Sequence, residues 1–219
     1  MRIRITFAKR GALRYTGHLD LFRIWERSTR RADLALAYSQ GFHPQPKMQL
    51  AAALPLGFSS RCELVDMRID GDVDLSTLPQ RLQAAVPPGL QILKVEAVAE
   101  KDPPLQTQIT SAEYEITLQD ETDAGELARR LTDLLAIETL PRERRGKAYD
   151  MRPLIEELAI MAPDAQGNLR LFMRLAARAS ATGRPEELLD ALGIVYEGTR
   201  VERTRFIFRA TEAPSDFRQ

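Results

Sequence analysis

The chain contains two histidines, and an imidazole can donate or accept a proton near neutral pH. His18 stands near the predicted start of a helix, and His43 lies among prolines beside Phe42. Two histidines at a basic groove could act as acid and base in cleaving RNA through its 2′-hydroxyl group, which needs no metal ion. Their spacing does not demand this chemistry. His18 and His43 are therefore the candidate catalytic residues, with helix-start hydrogen bonding and ligand binding as their alternative roles.

Other kinds of site find less support. Cys62 is the only cysteine, so the chain has no internal disulfide, and we expect a buried, inert strand residue even though the neighbouring Arg61 could lower its pKa. The sequence has no Walker A or G-x-G-x-x-G loop for a nucleotide cofactor. Glu63 and Asp66 are three apart on a predicted strand and point to opposite faces, which disfavours a metal pair. We predict no cofactor and no metal.

Residues 38–57 form the segment richest in special residues. Gly41 can adopt positive φ, whereas Pro44 and Pro46 restrict φ. A stiff backbone that presents polar and aromatic side chains is typical of a binding loop. A proline-stiffened turn between two strands is the alternative. The side chains that this segment would present are those of Tyr38, Gln40, Phe42, His43 and Lys47.

Basic residues form a stripe on the helix predicted at residues 17–32. Residues at i, i+4, i+7 and i+8 lie on one face of a helix, and four arginines occupy those positions. A phosphate-facing surface and a surface paired with acids elsewhere in the fold are the two interpretations. The four arginines are Arg23, Arg27, Arg30 and Arg31.

The charge is spread unevenly along the chain. Residues 1–50 hold ten basic and three acidic residues, although the whole chain has 31 of each. A neutral protein with one basic end is expected to carry a local anion-binding face. A second basic segment follows at residues 142–147, and we expect a charged loop there that could border a common groove with the first. Its candidate contacts are Arg144, Arg145 and Lys147.

The order of predicted elements indicates an α+β fold of two tandem ferredoxin-like (βαββαβ) halves. Alternating and helical patterns predict strands at 2–9, 34–39, 63–69 and 90–98, an extended segment at 48–54, and helices at 17–32 and 75–85. After a linker at 101–105 the order repeats, with strands at 112–118, 149–154, 169–176 and 201–208 and helices at 124–136 and 184–192. The predicted domains are residues 1–100 and 106–210.

The sequence predicts a cytoplasmic protein without a membrane segment. Apolar runs all fall short of the roughly 20 residues needed to cross a bilayer. The first residues alternate like a strand and do not form the continuous apolar core of a signal peptide. A single cysteine fits a reducing compartment.

Three runs of the sequence, residues 14–27, 36–47 and 54–57, resemble a bacterial family of radical-SAM-linked proteins. Residues 150–154 and 184–188 extend the likeness over most of the chain. Members occur fused behind a radical-SAM domain or encoded near one, which implies a radical-SAM enzyme as partner. They also occur near ribonuclease E/G genes, which agrees with an RNA-related role.

The resemblance also bears on individual residues. It covers His18-Leu19-Asp20 and the run from Gly41 to Lys47, and His43 stands where the family varies. It thus favours His18, Asp20, Gln40 and Lys47 over His43. A radical-SAM cluster needs three cysteines, so this chain with one cysteine would serve such an enzyme and not replace it.

These observations predict an RNA-binding or substrate-presenting accessory protein, linked to a radical-SAM enzyme or to RNA processing. One alternative is a metal-independent endoribonuclease of the tandem ferredoxin-like type. Another is a protein-interaction module whose arginine stripe meets an acidic partner. The predicted nucleic-acid contacts are Arg14, Arg23, Arg27, Arg30, Arg31, Tyr38, Gln40, Phe42, Lys47, Arg144, Arg145 and Lys147.

Overall fold

The computed structural model describes residues 1–120, 122–178 and 180–209. The protein is α+β. The helices are α1 (His18–Arg31), α2 (Leu78–Ala85), α3 (Leu105–Gln108), α4 (Ala124–Ala136) and α5 (Pro185–Ala191). The strands are β1 (Arg2–Lys9), β2 (Met48–Leu50), β3 (Ser59–Arg68), β4 (Leu90–Val98), β5 (Ile109–Leu118), β6 (Pro141–Arg144), β7 (Lys147–Asp150), β8 (Ile155–Met161), β9 (Arg170–Arg178), β10 (Ala181–Thr182) and β11 (Thr199–Phe208).

One nine-stranded sheet runs through both halves of the chain. Seven strands follow the order β10-β9-β5-β11-β3-β1-β4, and β2 and β8 pair with β3 and β9 respectively. In the first half, β2, β3, β1 and β4 are antiparallel neighbours. In the second half, β8, β9, β5 and β11 repeat that arrangement. The halves meet where β11 runs parallel to β3 at Ser59 and Ser60, while β6 and β7 form a separate hairpin.

The second strand of each half differs from the prediction. Residues 34–39 make only isolated bridges, and β2 lies further along the chain at Met48–Leu50. Residues 149–154 contain the end of β7 and a 3-10 turn, and the strand that pairs with β9 is β8 at Ile155–Met161. The strand predictions at 34–39 and 149–154 were wrong, whereas β2 lies within the extended segment predicted at 48–54. Short strands are chosen by the sheet edge available for pairing, which local alternation does not show.

Helix α1 packs on the sheet through the face opposite its arginines. Leu21, Trp25 and Ser28 are buried, at the spacing of one helical face. Trp25 contacts Phe7 of β1 edge to face, with 4.8 Å between ring centroids. The helix begins at His18 with Gly17 as its N-cap, one residue later than predicted. Burial of this apolar face leaves the basic face in solvent.

A buried ion pair joins the halves. Arg203 of β11 donates to both carboxylate oxygens of Glu63 on β3, at 2.9 and 3.1 Å, and both side chains are 2% exposed. Arg203 also donates to the carbonyl of Ala53 at 2.7 Å. Removing one member of such a pair leaves an uncompensated buried charge. The contact therefore ties β3, β11 and the chain around residue 53 together.

The segment between the halves packs against the first strand. Arg2 donates to the carbonyls of Asp102 and Pro103 at 2.8 and 3.0 Å, and Leu105 is fully buried. The predicted linker is thus in direct contact with β1. No helix in the described residues is long and apolar enough to cross a membrane.

Candidate nucleic-acid interface

The exposed face of α1 carries the four predicted arginines. Arg23 lies 3.4 Å from Asp20, and Arg30 lies 3.7 Å from Glu26. Arg27 and Arg31 are exposed and have no acidic group within 4.0 Å among the described residues. Among the described residues, no acid from elsewhere in the fold pairs with the stripe. Its two acidic partners, Asp20 and Glu26, belong to α1 itself. Two cations remain available to an anionic ligand.

The segment after α1 forms a projecting hairpin, which we call the Phe42 hairpin (residues 37–47). Lys47 donates its backbone N–H to the carbonyl of Ala37 at 2.8 Å, and Ser39 donates to the carbonyl of Gln45 at 2.8 Å. Gly41, at the tip, has φ +125°, which other residues rarely adopt. Phe42 is fully exposed and His43 is exposed. The predicted loop thus presents an aromatic ring to solvent.

A hydrogen bond holds the hairpin against the basic helix. The Tyr38 hydroxyl donates to Oε1 of Glu26 at 3.0 Å, and the same oxygen lies 3.7 Å from Arg30. Tyr38 stands at the base of the hairpin, where it pairs with Pro46. The contact joins the hairpin to α1, the helix that carries Arg27 and Arg31. The position of Glu26 four residues before Arg30 indicated their pairing, but the contact of Glu26 with Tyr38 could not be predicted from the sequence.

The two histidines occupy different settings. His18 is the first residue of α1 and is half-buried, whereas His43 is at the hairpin tip. Neither side chain makes a hydrogen bond or ion pair in the part of the chain that the structure describes. Gln40 and Lys47 are exposed on the same hairpin as His43, and Asp20 lies 3.4 Å from Arg23. A catalytic role for either histidine stays a prediction.

Arg14 lies apart from the stripe, at the junction of the halves. Its guanidinium stacks over the Tyr15 ring at 4.7 Å, and its carbonyl accepts from the N–H of Gly57 at 2.9 Å. Tyr196 of the second half donates to the carbonyl of Leu56 at 2.9 Å. A Cβ on Gly57 would come 2.3 Å from the Tyr196 hydroxyl, which explains the glycine.

The second basic segment is a hairpin and not the predicted loop. Strands β6 and β7 are joined by Arg145 and Gly146, whose φ values of 52° and 74° match a two-residue type I′ turn. Arg144, Arg145 and Lys147 are exposed and border a cavity of about 550 Å³ with Ser180. That cavity contains no residue of the Phe42 hairpin. A common groove for the two basic segments stays a hypothesis.

Most of the chain matches one known family of bacterial proteins. The pattern of DUF2344, described as an uncharacterised protein conserved in bacteria, matches residues 2–185. The chain belongs to the DUF2344 family. The match covers α1, the Phe42 hairpin, the β6–β7 hairpin and the start of α5. No curated protein matches the chain.

The solved structures similar to this DUF2344 chain are distant. A chain of the Cbf5–Nop10–Gar1 complex aligns with TM-score 0.49 and 9% identity over 93% of this chain. A chain of an H/ACA RNP bound to a substrate RNA containing 2′-deoxyuridine aligns with TM-score 0.46 and 10% identity, again over 93%. This chain spans about half the length of each, 48% and 47% respectively.

The only thiol of this DUF2344 chain is not activated. Cys62 is half-buried on β3, and burial raises the pKa of its thiol to about 12. The Glu63 carboxylate also raises that pKa, and Arg61 has the smallest of the effects that lower it. The described residues contain no group of three His, Cys, Asp or Glu side chains that could hold a metal ion. The most promising surface remains the one formed by α1 and the Phe42 hairpin.

Proposed function

We propose that this protein binds RNA through the exposed face of α1 and the Phe42 hairpin, as an accessory to another enzyme. The observation that carries the proposal is the Tyr38–Glu26 hydrogen bond. This bond supports the proposal because it joins the hairpin that carries the exposed Phe42 ring to the helix that carries Arg27 and Arg31.

Single-stranded RNA suits this combination of groups. Proteins that bind single strands use cations along the phosphates and aromatic side chains on which bases stack. Arg27 and Arg31 would contact phosphates, and Phe42 would stack on a base. Gln40 and Lys47, both exposed on the same hairpin, would add polar contacts. Arg144, Arg145 and Lys147 would contact RNA only if the strand extends to the second hairpin.

The wider setting is also part of the proposal. We infer that each half is a ferredoxin-like unit, because its antiparallel strand order equals that of the other half. The division at residues 1–100 and 106–210 follows that repeat, and residue 210 lies outside the described residues. A radical-SAM enzyme in the cytoplasm is the proposed partner. The endoribonuclease and protein-interaction hypotheses remain alternatives.

Fluorescence anisotropy with a labelled single-stranded RNA across a salt series tests the proposal. The slope of log affinity against log salt reports the number of phosphate contacts, at about 0.7 per contact for single strands. The double variant Arg27→Ala/Arg31→Ala should lower the slope by about 1.4. Arg129→Ala is the matched control, since Arg129 is exposed on α4 and pairs with Glu126 and Asp133.

The outcomes separate the three hypotheses. Binding that is unaffected by the α1 double variant would refute the proposed surface. Absence of binding at low salt would refute RNA as the ligand and favour an acidic protein partner. Cleavage of the RNA, lost in His18→Ala or His43→Ala, would favour the endoribonuclease.

A further inference from the structure

A cleft lies at the junction of the two halves, separate from the α1 surface. Its volume is about 430 Å³. One wall is the apolar segment 51–55, which connects β2 to β3. The opposite wall is formed by the end of β9 and the start of α5, with Arg144 of the β6–β7 hairpin at the rim. Ligand sites commonly occupy clefts of about this size, between roughly 300 and 1,000 Å³.

Arginines dominate the charge of this cleft. Arg144 and Arg178 are exposed and have no acidic group within 4.0 Å among the described residues. Arg184 pairs with Glu186 at 3.3 Å, and Arg203 is neutralised by Glu63. The cleft therefore presents two uncompensated cations at its mouth. Arginine guanidinium groups match the geometry of phosphate oxygens.

The hydrogen bonds of Arg203 hold the floor of the cleft in place. Arg203 uses its guanidinium on Glu63 and on the carbonyl of Ala53, so it positions the wall and does not serve a ligand. Its Nε also donates to the Tyr114 hydroxyl at 3.4 Å. Burial raises the pKa of Tyr114, so this hydroxyl stays protonated and can donate to a group in the cleft.

A carboxylate oxygen in the cleft has no partner. Oε1 of Glu186 accepts from Arg184, but Oε2 is buried and accepts no hydrogen bond in the described residues. A buried acceptor that lacks a donor costs free energy unless a ligand or water supplies one. The Glu186 side chain as a whole is 29% exposed and lines the cleft, so its carboxylate can accept from a hydroxyl or amino group of a ligand.

We propose that this cleft binds a nucleotide. Arg144 and Arg178 hold its phosphate, Glu186 accepts from a ribose hydroxyl or a base amino group, and the base packs on the wall of residues 51–55. The nucleotide is either free or a unit of a phosphorylated RNA strand. The inference does not depend on RNA binding by α1.

Isothermal titration calorimetry of the full chain tests the proposal. The probes are the four ribonucleoside 5′-monophosphates, the corresponding nucleosides and a 5′-phosphorylated RNA oligonucleotide. Arg144→Gln and Arg178→Gln should each weaken nucleotide binding at least tenfold, and the nucleosides should bind more weakly than the monophosphates. Arg129→Gln is the matched control, because Arg129 is exposed on α4 and does not line this cleft. Circular dichroism checks that each variant is folded.

The measurements distinguish a free nucleotide from a nucleotide unit of RNA, and binding in the cleft from binding at α1. Loss of monophosphate binding in the cleft variants supports a free nucleotide, and loss confined to the phosphorylated oligonucleotide supports an RNA unit. Binding that is equal in wild type, Arg144→Gln and Arg178→Gln, or no binding of any probe, overturns the inference. The Arg27→Ala/Arg31→Ala protein should keep its nucleotide affinity, so failure of the α1 proposal is recognised separately.

Discussion

Glu63 and Arg203 are charged residues in places where apolar residues are usual. Each is 2% exposed at the side chain, and Lys9, also fully buried, lies in the same charged group and donates to the carbonyl of Thr16 at 2.9 Å. Burial lowers the pKa of Lys9, and Glu63 opposes that change. One carboxylate thus compensates two buried cations. Loss of the Glu63 charge is therefore expected to lower the stability of the fold more than loss of either cation.

Glu63→Gln should destabilise the fold strongly. Removal of one partner from a buried ion pair costs about 3–5 kcal/mol, because the remaining charge stays buried. Urea unfolding followed by circular dichroism measures the change. Glu96→Gln is the matched control, since it breaks a Lys94 pair of 2.7 Å in which both side chains are exposed. Equal losses of unfolding free energy in Glu63→Gln and Glu96→Gln would contradict the importance given to the buried Glu63–Arg203 pair.

Cys62 gives a pH-dependent prediction. Because burial raises its pKa from 9.0 to about 12, the folded protein keeps a proton that the unfolded chain releases above pH 9. This contribution to stability is complete below pH 9 and is lost as the pH rises towards 12. At pH 8 the thiolate fraction is about 1,000-fold lower in the folded state.

Reaction with a thiol reagent at pH 8 checks that value. Modification of the native protein should be slower by a factor on the order of 1,000 than modification in guanidinium chloride. Since the chain has one cysteine, the rate reports Cys62 alone. Equal rates in both conditions would show an accessible, activated thiol.

At the scale of elements, the Phe42 hairpin can be altered without touching the sheet. Residues 40–44 form its exposed tip, beyond the pairing of Ser39 with Gln45. Replacing them with Asn-Gly, a favoured two-residue turn, should leave the thermal midpoint nearly unchanged. RNA affinity should fall, because loss of one stacked base costs about 1–3 kcal/mol.

The control for this change is a substitution at an exposed apolar residue elsewhere. Val195→Ala alters an exposed apolar residue in the second half and should leave RNA binding intact. Anisotropy and thermal melts on both variants separate binding from folding. A tip variant that binds RNA like wild type would remove Phe42 from the proposed surface.

Helices were predictable from the sequence more accurately than the short strands. Residues 124–136 were predicted as helical, and α4 covers the same residues, with Asp123 capping the N–H of Glu126 at 2.6 Å. Its period of apolar residues and its cap are local signals. Residues 34–39 were predicted as a strand and are not one, and β8 was misplaced, because a partner far along the chain selects the residues that pair.

At the scale of the molecule, we expect the two halves to unfold together. The shared sheet, the Glu63–Arg203 pair and the packed segment at Asp102 and Pro103 link them. Trp25, the only tryptophan, is buried in the first half and reports on that half alone. Its fluorescence and the far-ultraviolet circular dichroism should therefore give one urea midpoint.

The same experiment with Glu63→Gln is informative. If the ion pair couples the halves, the two probes should diverge in this variant. Glu96→Gln should keep a single midpoint. Separate midpoints in the wild type would show that the halves are independent units.

The sequence by itself determined the features that depend on neighbours along the chain. It indicated the α+β class, the arginine face of α1 and a stiff loop with Phe42, since helical spacing, glycine and proline act over a few residues. Only the tertiary structure decided which strand pairs with which, that Tyr38 reaches Glu26, and that Arg203 meets Glu63 from 140 residues away. These contacts depend on how the sheet closes, and local sequence carries no record of that distance in space.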